Sequence, residues 1–374
     1  MNHKRKVLVI FGGKSAEHEI SRISATSILN NIDADKFDIF MLGITKEGEW
    51  IPYSGPIEKI PSGEWEDLAR REKRDCLAKG NVLLNSIMGN SMVEGDRTIA
   101  DDEKNGIDVV FPVLHGYNGE DGTIQGFLEL AGIPYVGCGV LSSALGMDKV
   151  FAKVMFEKVK IPQADFLYFT RKEISKDILD VAQKTEDKFE YPVFVKPSNA
   201  GSSVGVSKAA NRDELVKALN YAANYDKKVM IEEFINGREV ECAVLGNDNP
   251  MVSTVGEIVP SSEFYDYRAK YIDNKSKILI PADLPKDTRE EIRKYAIKAF
   301  KALDCSGLSR VDFFVHKETM KVFINEINTM PGFTDISMYP VLWKEAGVSY
   351  GELIERLIDL ALERFEDNIK KVDA

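Results

Sequence analysis

The chain has 374 residues, of which 44% are hydrophobic and 29% are charged. That length predicts two or three domains, each with a core of useful size. The net charge of −11 argues against a nucleic-acid-binding protein, because a phosphate backbone requires a basic surface.

The first part of the chain alternates strands with helices, which predicts a doubly wound α/β domain over residues 1–147. The apolar run KVLVIF predicts a buried first strand that ends at a pair of glycines. We interpret the polar and irregular residues 46–106 as an insertion with one or two helices. In this part, strands are predicted at residues 6–11, 38–44, 107–114 and 134–136, and helices at 16–30 and 123–131.

The rest of the chain predicts two α+β domains, at residues 148–236 and 237–374. Between strand-like stretches, residues 260–282 contain the run EFYDYRAKY, where a mobile lid is slightly favoured over an edge strand. Strands are predicted at residues 191–196, 206–209, 229–235, 239–245, 251–260, 307–315 and 321–327. Helices are predicted at residues 149–159, 212–225, 286–303 and 350–365.

Two short motifs near the carboxyl terminus, RVD and NEIN, carry the most chemical information. Side chains two residues apart on a strand share a face, so Arg310 points with Asp312 and Glu326 points with Asn328. If the two strands pair as a hairpin, these four groups converge. Carboxylate and amide oxygens suit Mg²⁺ held together with water and phosphate. A solvated outer face is the alternative, which the apolar residues beside both motifs disfavour.

A Gly/Ser loop, GSSVG at residues 201–205, follows a strand that ends near Lys196. Its backbone N–H groups and hydroxyls can surround phosphate oxygens, and the lysine adds a positive charge. A plain hairpin turn is an equal alternative. The loop also matches the GxSxG motif of hydrolases, but that motif requires a helix after the serine, and a strand is predicted here.

Two loops follow the first and third predicted strands, where open α/β sheets bind ligands. The run HGYNGEDG at residues 115–122 has three glycines and begins with His115. In the other loop Glu17 can hold a cationic amine, or it can complement the dipole of the next helix. For His115, a ligand contact and a purely structural role are equal alternatives.

Taken in order, seven motifs resemble the D-alanine–D-alanine ligase family of ATP-grasp enzymes, over nearly the whole chain outside residues 46–106. They are HGxxGEDG at 115–122, MDK at 147–149, VKP at 195–197, GSSVG at 201–205, FYDYxAKY at 264–271, RxD at 310–312 and ExNTxPG at 326–332. The resemblance implies an ATP-grasp architecture, in which two α+β domains clamp ATP behind the N-terminal domain. It implies ligation of two D-alanines through a D-alanyl phosphate, for peptidoglycan precursor synthesis.

The resemblance also implies how ATP and metal bind. Lys149, Lys196 and Ser203 would hold the α- and β-phosphates, and Lys270 of the lid would reach the γ-phosphate. The adenosine contacts would be Glu232 and the backbone of Ile235 at adenine, and Glu239 at the ribose. Two Mg²⁺ ions, which Mn²⁺ could replace, would be held by Asp312, Glu326 and Asn328. Phosphoryl transfer requires positioning and charge neutralisation, which fits a site without a nucleophilic side chain.

For the amino acids, the resemblance implies that Glu17 anchors the ammonium of the first D-alanine. Glu17 would connect through Ser202 to Tyr271 of the lid. Arg310 and the N–H of Gly332 would stabilise the oxyanion of the tetrahedral intermediate. The remaining substrate contacts would be His115 at the first D-alanine, and Ser337 and Met338 at the second.

The second substrate is the least determined part of this interpretation. Relatives that make D-alanyl–D-lactate place a histidine where this chain has Tyr271, and Met338 offers no hydrogen bond to a serine hydroxyl. Both residues favour D-alanine. The acceptor motif reads TDIS instead of the family's common TSHS, so this end of the pocket is atypical. A D-alanine–D-serine ligase and another ATP-grasp carboxylate–amine ligase remain the alternatives.

We also expect a cytoplasmic protein that does not bind a membrane. No apolar stretch reaches the ~20 residues that span a bilayer, and the first apolar run is too short for a secretory signal. The four cysteines form no CxxC pair, as in a reduced cytosolic protein. A homodimer is implied by the resemblance alone.

Overall fold

The computed structural model describes residues 4–75, 106–259 and 277–369, and its strands form three separate sheets. The strands are β1 Arg5–Gly12, β2 Phe37–Ile44, β3 Trp50–Tyr53, β4 Val109–Val113, β5 Phe166–Thr170, β6 Val193–Pro197, β7 Ser207–Ala209, β8 Lys228–Glu233, β9 Gly237–Gly246, β10 Met251–Val259, β11 Lys277–Leu279, β12 Gly307–His316 and β13 Val322–Asn328. The helices are α1 His18–Asn31, α2 Glu64–Asp75, α3 Thr123–Leu130, α4 Val140–Met147, α5 Lys149–Lys158, α6 Arg171–Lys176, α7 Ile178–Glu186, α8 Arg212–Ala222, α9 Lys286–Ala302, α10 Met338–Glu345 and α11 Tyr350–Asn368.

The N-terminal sheet has the strand order β3-β2-β1-β4. Strand β1 lies at its centre and pairs in parallel with β2 and β4. Because this strand is covered on both faces, its side chains from Val7 to Phe11 are fully buried, which explains the continuous apolar run. The predicted strand at residues 134–136 is reduced to a parallel bridge between Tyr135 and Val110.

The sequence suggested that residues 46–106 are irregular, but residues 50–75 contain regular secondary structure. Strand β3 forms the antiparallel edge of the N-terminal sheet, and α2 is one of the helices predicted for this stretch. Trp65 of α2 is 1% exposed, and its ring centroid lies 5.0 Å from that of Phe11 and 6.1 Å from that of Tyr53. Its ring fills the space beside Gly43, where a Cβ atom would lie 2.2 Å away. This first half of the predicted insertion is therefore part of the N-terminal core.

Two further sheets follow, with the orders β5-β8-β6-β7 and β11-β10-β9-β12-β13. Every strand and helix predicted in this part of the chain is present, with ends shifted by a few residues. The prediction missed β5, α6 and α7, which lie between residues 166 and 186, and also α4 and α10. It also missed β11, which pairs with β10 at the end of the predicted lid, residues 260–282. The proposed domain limits at residues 147 and 236 stay a prediction.

The N-terminal and C-terminal sheets share one hydrophobic core. Side chains of β1 and β4 pack with those of β9, α10 and α11, for example Phe111 against Phe333 with ring centroids 6.0 Å apart. Arg364 of α11 donates to the carbonyl of Tyr135, 3.0 Å away, and its guanidinium lies 4.1 Å from the Tyr135 ring centroid. The central sheet has a core of its own, made by α7, α8 and the inner faces of its strands. It contacts the C-terminal sheet where the N–H of Ile324 donates to the carbonyl of Pro162, 2.8 Å away.

None of the helices in the three described ranges is both long and apolar enough to span a bilayer.

We expect Trp65→Ala to lower the free energy of unfolding by about 3–5 kcal/mol, because it leaves a cavity between α2 and the N-terminal sheet. Guanidinium denaturation measures this change. Leu130→Ala is the matched control, since the Leu130 side chain is 84% exposed and its loss should change stability by at most about 0.5 kcal/mol. Equal effects of the two substitutions would contradict the assignment of α2 to the core.

Candidate active site

A cleft of about 760 Å³ is lined by residues from all three sheets and their loops. The predicted site residues that line it are Glu17, His115, Lys149, Lys196, Ser202, Ser203, Glu232, Ile235, Glu239, Arg310, Glu326, Asn328 and Gly332. Asp312, Ser337 and Met338 are not among its lining residues. The predicted lid residues Lys270 and Tyr271 lie outside the described residues. Residues from distant parts of the chain therefore meet in one place.

Glu17, just before α1, marks the N-terminal corner of the cleft. It is 9% exposed, and its carboxylate accepts a hydrogen bond from the hydroxyl of Ser202 in the Gly/Ser loop. Two glycines allow this close approach. A Cβ atom on Gly116 would lie 2.2 Å from Glu17 Oε2, and one on Gly201 would lie 2.7 Å from the same oxygen. The two glycines therefore hold open the space that the carboxylate occupies.

His115 lies in the wall of the same corner and is 4% exposed. Its Nδ1 lies 3.0 Å from the carbonyl of Met330, and its Nε2 lies 3.2 Å from the hydroxyl of Ser24. Burial lowers the pKa of His115, and the nearby Glu17 only partly opposes this effect. The imidazole is thus favoured in its neutral form, with protein partners on both nitrogens.

Glu120 is a lining residue to which the sequence assigned no role. Its carboxyl accepts the N–H of Gly116 at 2.6 Å and the N–H of Met330 at 3.3 Å, so it joins the loops after β4 and β13. Burial and the charge of Glu17 raise the pKa of Glu120 to about 8. Its place in the HGxxGEDG motif was the only sequence signal.

Strands β12 and β13 form the predicted hairpin. Arg310 lies opposite Asn328, and Asp312 lies opposite Glu326. Arg310 makes two contacts with Asp312, at 2.8 and 2.7 Å, and the amide of Asn328 donates to Asp312 Oδ2 at 3.0 Å. The expectation that these four polar groups share one face is confirmed. Asp312 is 3% exposed because its neighbours cover it.

Glu241 on β9 is a further buried carboxylate of this cluster, 4% exposed, and it was not predicted from the sequence. It lies directly opposite Asp312, and its Oε2 is 2.8 Å from Nε of Arg310. Arg310 is therefore held between two carboxylates. The signal was present, because Glu241 is two residues from Glu239 in a strand and so shares its face.

A β-bulge brings Asn325 into the site. The register of β12 with β13 shifts after Asp312, so one extra residue of β13 is accommodated next to Glu326. As a result Asn325 also lines the cleft, and its Oδ1 lies 3.4 Å from Nζ of Lys196. Strict alternation along the strand predicts the opposite direction for this side chain.

Lys149 is positioned by the start of α5. The side chain of Asp148 caps this helix and accepts the N–H groups of Val150 and Phe151 at 3.1 and 3.2 Å. Asp148 also pairs with Lys228 at 2.6 Å. Lys149 then reaches across the cleft, with Nζ 2.8 Å from the carbonyl of Ala200 and 3.6 Å from Glu326 Oε2.

Lys196 forms an ion pair with Glu232 of the neighbouring strand. The second carboxylate oxygen of Glu232 lies 2.6 Å from Nζ of Lys153. Burial alone would raise the pKa of Glu232, but the two lysines outweigh burial and lower this pKa to about 2. Both oxygens of Glu232 thus already have cationic partners, which disfavours the predicted direct contact between this carboxylate and adenine.

The remaining nucleotide residues occupy the expected loops and strands. Ser202 and Ser203 have positive φ angles of 48° and 59°, so the Gly/Ser loop turns through the left-handed region. Ile235 lies in the short link between β8 and β9, and Glu239 lies on β9 opposite Phe314. All four residues line the cleft.

Beyond Gly332 lies the predicted acceptor end. Ser337 Oγ would be 2.9 Å from a Cβ atom on Gly332, and it accepts the N–H of Thr334 at 3.0 Å. Ser337 therefore lies next to Gly332, at the edge of the cleft. Met338 is only 6% exposed and belongs to the shared core, where its sulfur lies 3.0 Å from the Cβ position of Gly256. A direct substrate contact by Met338 is disfavoured by this burial.

The donor set of the hairpin fits Mg²⁺. Within the described ranges, no three His, Cys, Asp or Glu side chains converge as a metal site of their own. Two carboxylates, Asp312 and Glu326, and the amide of Asn328 are hard oxygen donors. Such an incomplete set suits an ion that keeps water and takes its other ligands from substrate phosphates.

Lysines from α5 and from the central sheet share one cleft with carboxylates of the C-terminal sheet, which is the arrangement of the class of ATP-grasp proteins, and the predicted fold class is confirmed. Two family models match the chain: "D-ala D-ala ligase N-terminus" over residues 6–138 and "D-ala D-ala ligase C-terminus" over residues 155–359. The chain belongs to the D-alanine–D-alanine ligase family.

Relatives and solved structures agree with this membership. The chain is 68% identical to the D-alanine–D-alanine ligase of Acetivibrio thermocellus over the full length of both, and 59% identical to that of Ruminiclostridium cellulolyticum over 97% of both. The VanG D-Ala:D-Ser ligase of Enterococcus faecalis is 41% identical, with a TM-score of 0.81 over 96% of this chain and 100% of that one. The D-alanine–D-alanine ligase of Coxiella burnetii is 36% identical, with a TM-score of 0.80 over 97% and 95%.

We expect Gly116→Ala to reduce ligase turnover by about 10-fold or more, because the added methyl group would displace the Glu17 carboxylate. The φ angle of Gly116, +68°, also disfavours any residue with a side chain. ADP release with D-alanine measures turnover. Gly126→Ala is the matched control, since its Cβ would meet no atom within 4 Å and should stabilise α3 by roughly 0.5–1 kcal/mol. Full activity of the Gly116 variant would contradict the described packing around Glu17.

Proposed function

We propose that this chain is an ADP-forming ligase that joins two D-alanines to D-alanyl-D-alanine through a D-alanyl phosphate, for peptidoglycan precursor synthesis. Membership of the D-alanine–D-alanine ligase family supports this reaction. The observation that carries it is the convergence of Lys149 and Lys196 with Glu326 on one cleft. A cytoplasmic location is part of the proposal, because the reaction consumes ATP.

The first step activates a carboxylate. Lys149, Lys196 and the Gly/Ser loop with Ser203 bind the α- and β-phosphates, while Lys270 binds the γ-phosphate. Glu17, held by Ser202, binds the ammonium of the first D-alanine and orients its carboxylate towards the γ-phosphorus. A carboxylate oxygen forms the new P–O bond and ADP leaves, so the barrier is lowered mainly by alignment and charge balance.

The second step forms the peptide bond. The second D-alanine loses a proton from its ammonium, and the neutral amine attacks the acyl carbon. Arg310 and the N–H of Gly332 stabilise the oxyanion, and inorganic phosphate then leaves. Ser337 binds the carboxylate of the second D-alanine. Tyr271 of the predicted lid is the third member of the hydrogen-bonded series Glu17–Ser202–Tyr271. His115, neutral and buried, lies against the first D-alanine.

Asp312, Glu326 and Asn328 are the proposed ligands of Mg²⁺, which would neutralise phosphate charge when it is bound. Mn²⁺ can take the same oxygen ligands. Arg310, which also contacts Glu241, keeps Asp312 in place.

Adenine recognition is proposed to come from the backbone near Ile235, with Glu239 at the ribose. Glu232 differs from the expectation, because both of its oxygens contact lysines. Its proposed part in adenine binding is therefore indirect, through Lys196. Phe234, 39% exposed beside Ile235, offers an aromatic surface to the base.

D-serine as the second substrate is the alternative that one observation favours, the 41% identity to a D-Ala:D-Ser ligase. The 68% and 59% identities to D-alanine–D-alanine ligases favour D-alanine. We propose that Met338 acts from the core, by supporting the backbone beside Ser337 without touching the acceptor. A homodimer is also proposed, and sedimentation equilibrium measures it.

A competition assay tests the reaction. With ATP, Mg²⁺ and D-alanine we expect ADP, phosphate and D-alanyl-D-alanine, identified by mass spectrometry. L-alanine should give at most a few per cent of this turnover, and D-lactate or D-serine added with D-alanine should give the minor product. Equal turnover with L-alanine would refute the substrate, and a majority of D-alanyl-D-serine would establish the alternative.

The metal assignment has its own test. Glu326→Ala should lower turnover by at least about 100-fold while the melting temperature stays within a few degrees, because a half-buried ligand is lost without a core cavity. The matched control is Glu318→Ala in the turn of the same hairpin, where the side chain is exposed. A Glu326 variant with wild-type turnover in Mg²⁺ would show that this carboxylate is not a ligand.

A further inference from the structure

Lys153 is a buried cation to which the proposed mechanism gives no role. It lies on α5, one helical turn after Lys149, and is 2% exposed. It is not among the residues that line the cleft. Fully buried lysines are rare, because removing an ammonium from water is unfavourable unless it is paired. Its presence inside the protein therefore requires a physical reason.

The contacts of Lys153 point towards the cleft. Its Nζ lies 2.6 Å from Oε1 of Glu232, 3.3 Å from the carbonyl of Ala164 and 5.6 Å from the centroid of the Phe166 ring. The other oxygen of Glu232 contacts Nζ of Lys196, which does line the cleft. The three charged side chains thus form a row, from the interior to the cleft wall.

Lys153 determines the net charge of this row. Lys196 and Glu232 alone would form a neutral buried pair, with the lysine held by the whole carboxylate. With Lys153 on Oε1, the carboxylate is shared and the row keeps one net positive charge. Buried charges act strongly on nearby ions because the surroundings screen them poorly. An anion beside Lys196 would therefore meet a positive row.

We propose that Lys153 is a positioning residue for the nucleotide polyphosphate. It fixes Glu232 and keeps the row positive, so that Lys196 binds phosphate without first separating from a neutral pair. Lys153 does not touch the nucleotide. This inference rests on the proposed function only for the identity of the anion.

The test uses Lys153→Met, which keeps most of the side-chain volume and removes the charge. We expect the Kd for ADP with Mg²⁺, measured by calorimetry, to rise by about 10-fold or more. The KM for ATP should rise in parallel, while the KM for D-alanine stays within about 3-fold. The matched control is Lys158→Met on the exposed face of the same helix, with no expected change. An unchanged Kd in a folded Lys153 variant would overturn the proposal.

A second variant separates charge from packing. Lys153→Met combined with Glu232→Gln removes both charges and restores the single positive charge of the row. We expect its Kd for ADP to be lower than that of the Lys153→Met single variant by about 3-fold or more, a rescue that a purely structural role does not produce. If the single variant does not fold, the double variant decides: ADP binding weaker by more than about 10-fold overturns the proposal.

The outcomes for the wild-type protein keep the two proposals apart. If it binds ADP but forms no dipeptide, the proposed reaction fails and the Lys153 comparison still holds. If it binds ADP and forms dipeptide, while the Lys153 variant binds equally well, only the inference on Lys153 fails.

Discussion

In the cleft, Lys149, Lys196 and Arg310 are each held against a carboxylate until an anionic substrate arrives. Lys149 faces Glu326, Lys196 faces Glu232, and Arg310 lies between two carboxylates. A buried charge without a partner of opposite sign would be unfavourable in the protein interior. A polyphosphate with its metal ions can exchange partners with these pairs, so the site is organised before it is filled.

The sequence predicted the parts of this arrangement that follow from local rules. Alternation along a strand placed Arg310 with Asp312 and Glu326 with Asn328, and a short turn made their strands neighbours. A long apolar run identified β1 as a central parallel strand. These features depend on residues close together in the chain, where the period of the backbone decides the direction of each side chain.

What the sequence did not reveal depends on register and on distant contacts. The bulge that turns Asn325 into the cleft breaks the alternation used to predict it. Lys153 of α5 meets Glu232 of β8 from 79 positions away, a contact that depends on the tertiary fold and on no local rule. Strand β3, with four residues, and helix α6, with six, are too short for a clear hydrophobic period. Met338 lies in the core although its motif suggested a substrate contact.

The shared core between the first and third sheets determines which parts of the molecule can separate. Pulling these sheets apart would expose the ring of Phe111 and the buried face of α11 to water, whereas the central sheet carries its own complete interior. The cleft would therefore widen at the lowest cost in buried area if the central sheet rotated as a rigid body, while the first and third sheets stayed together. Such a rotation would carry Lys196 away from Asn325, whereas Lys149 would stay beside Glu326, because the buried face of α5 packs in the C-terminal core.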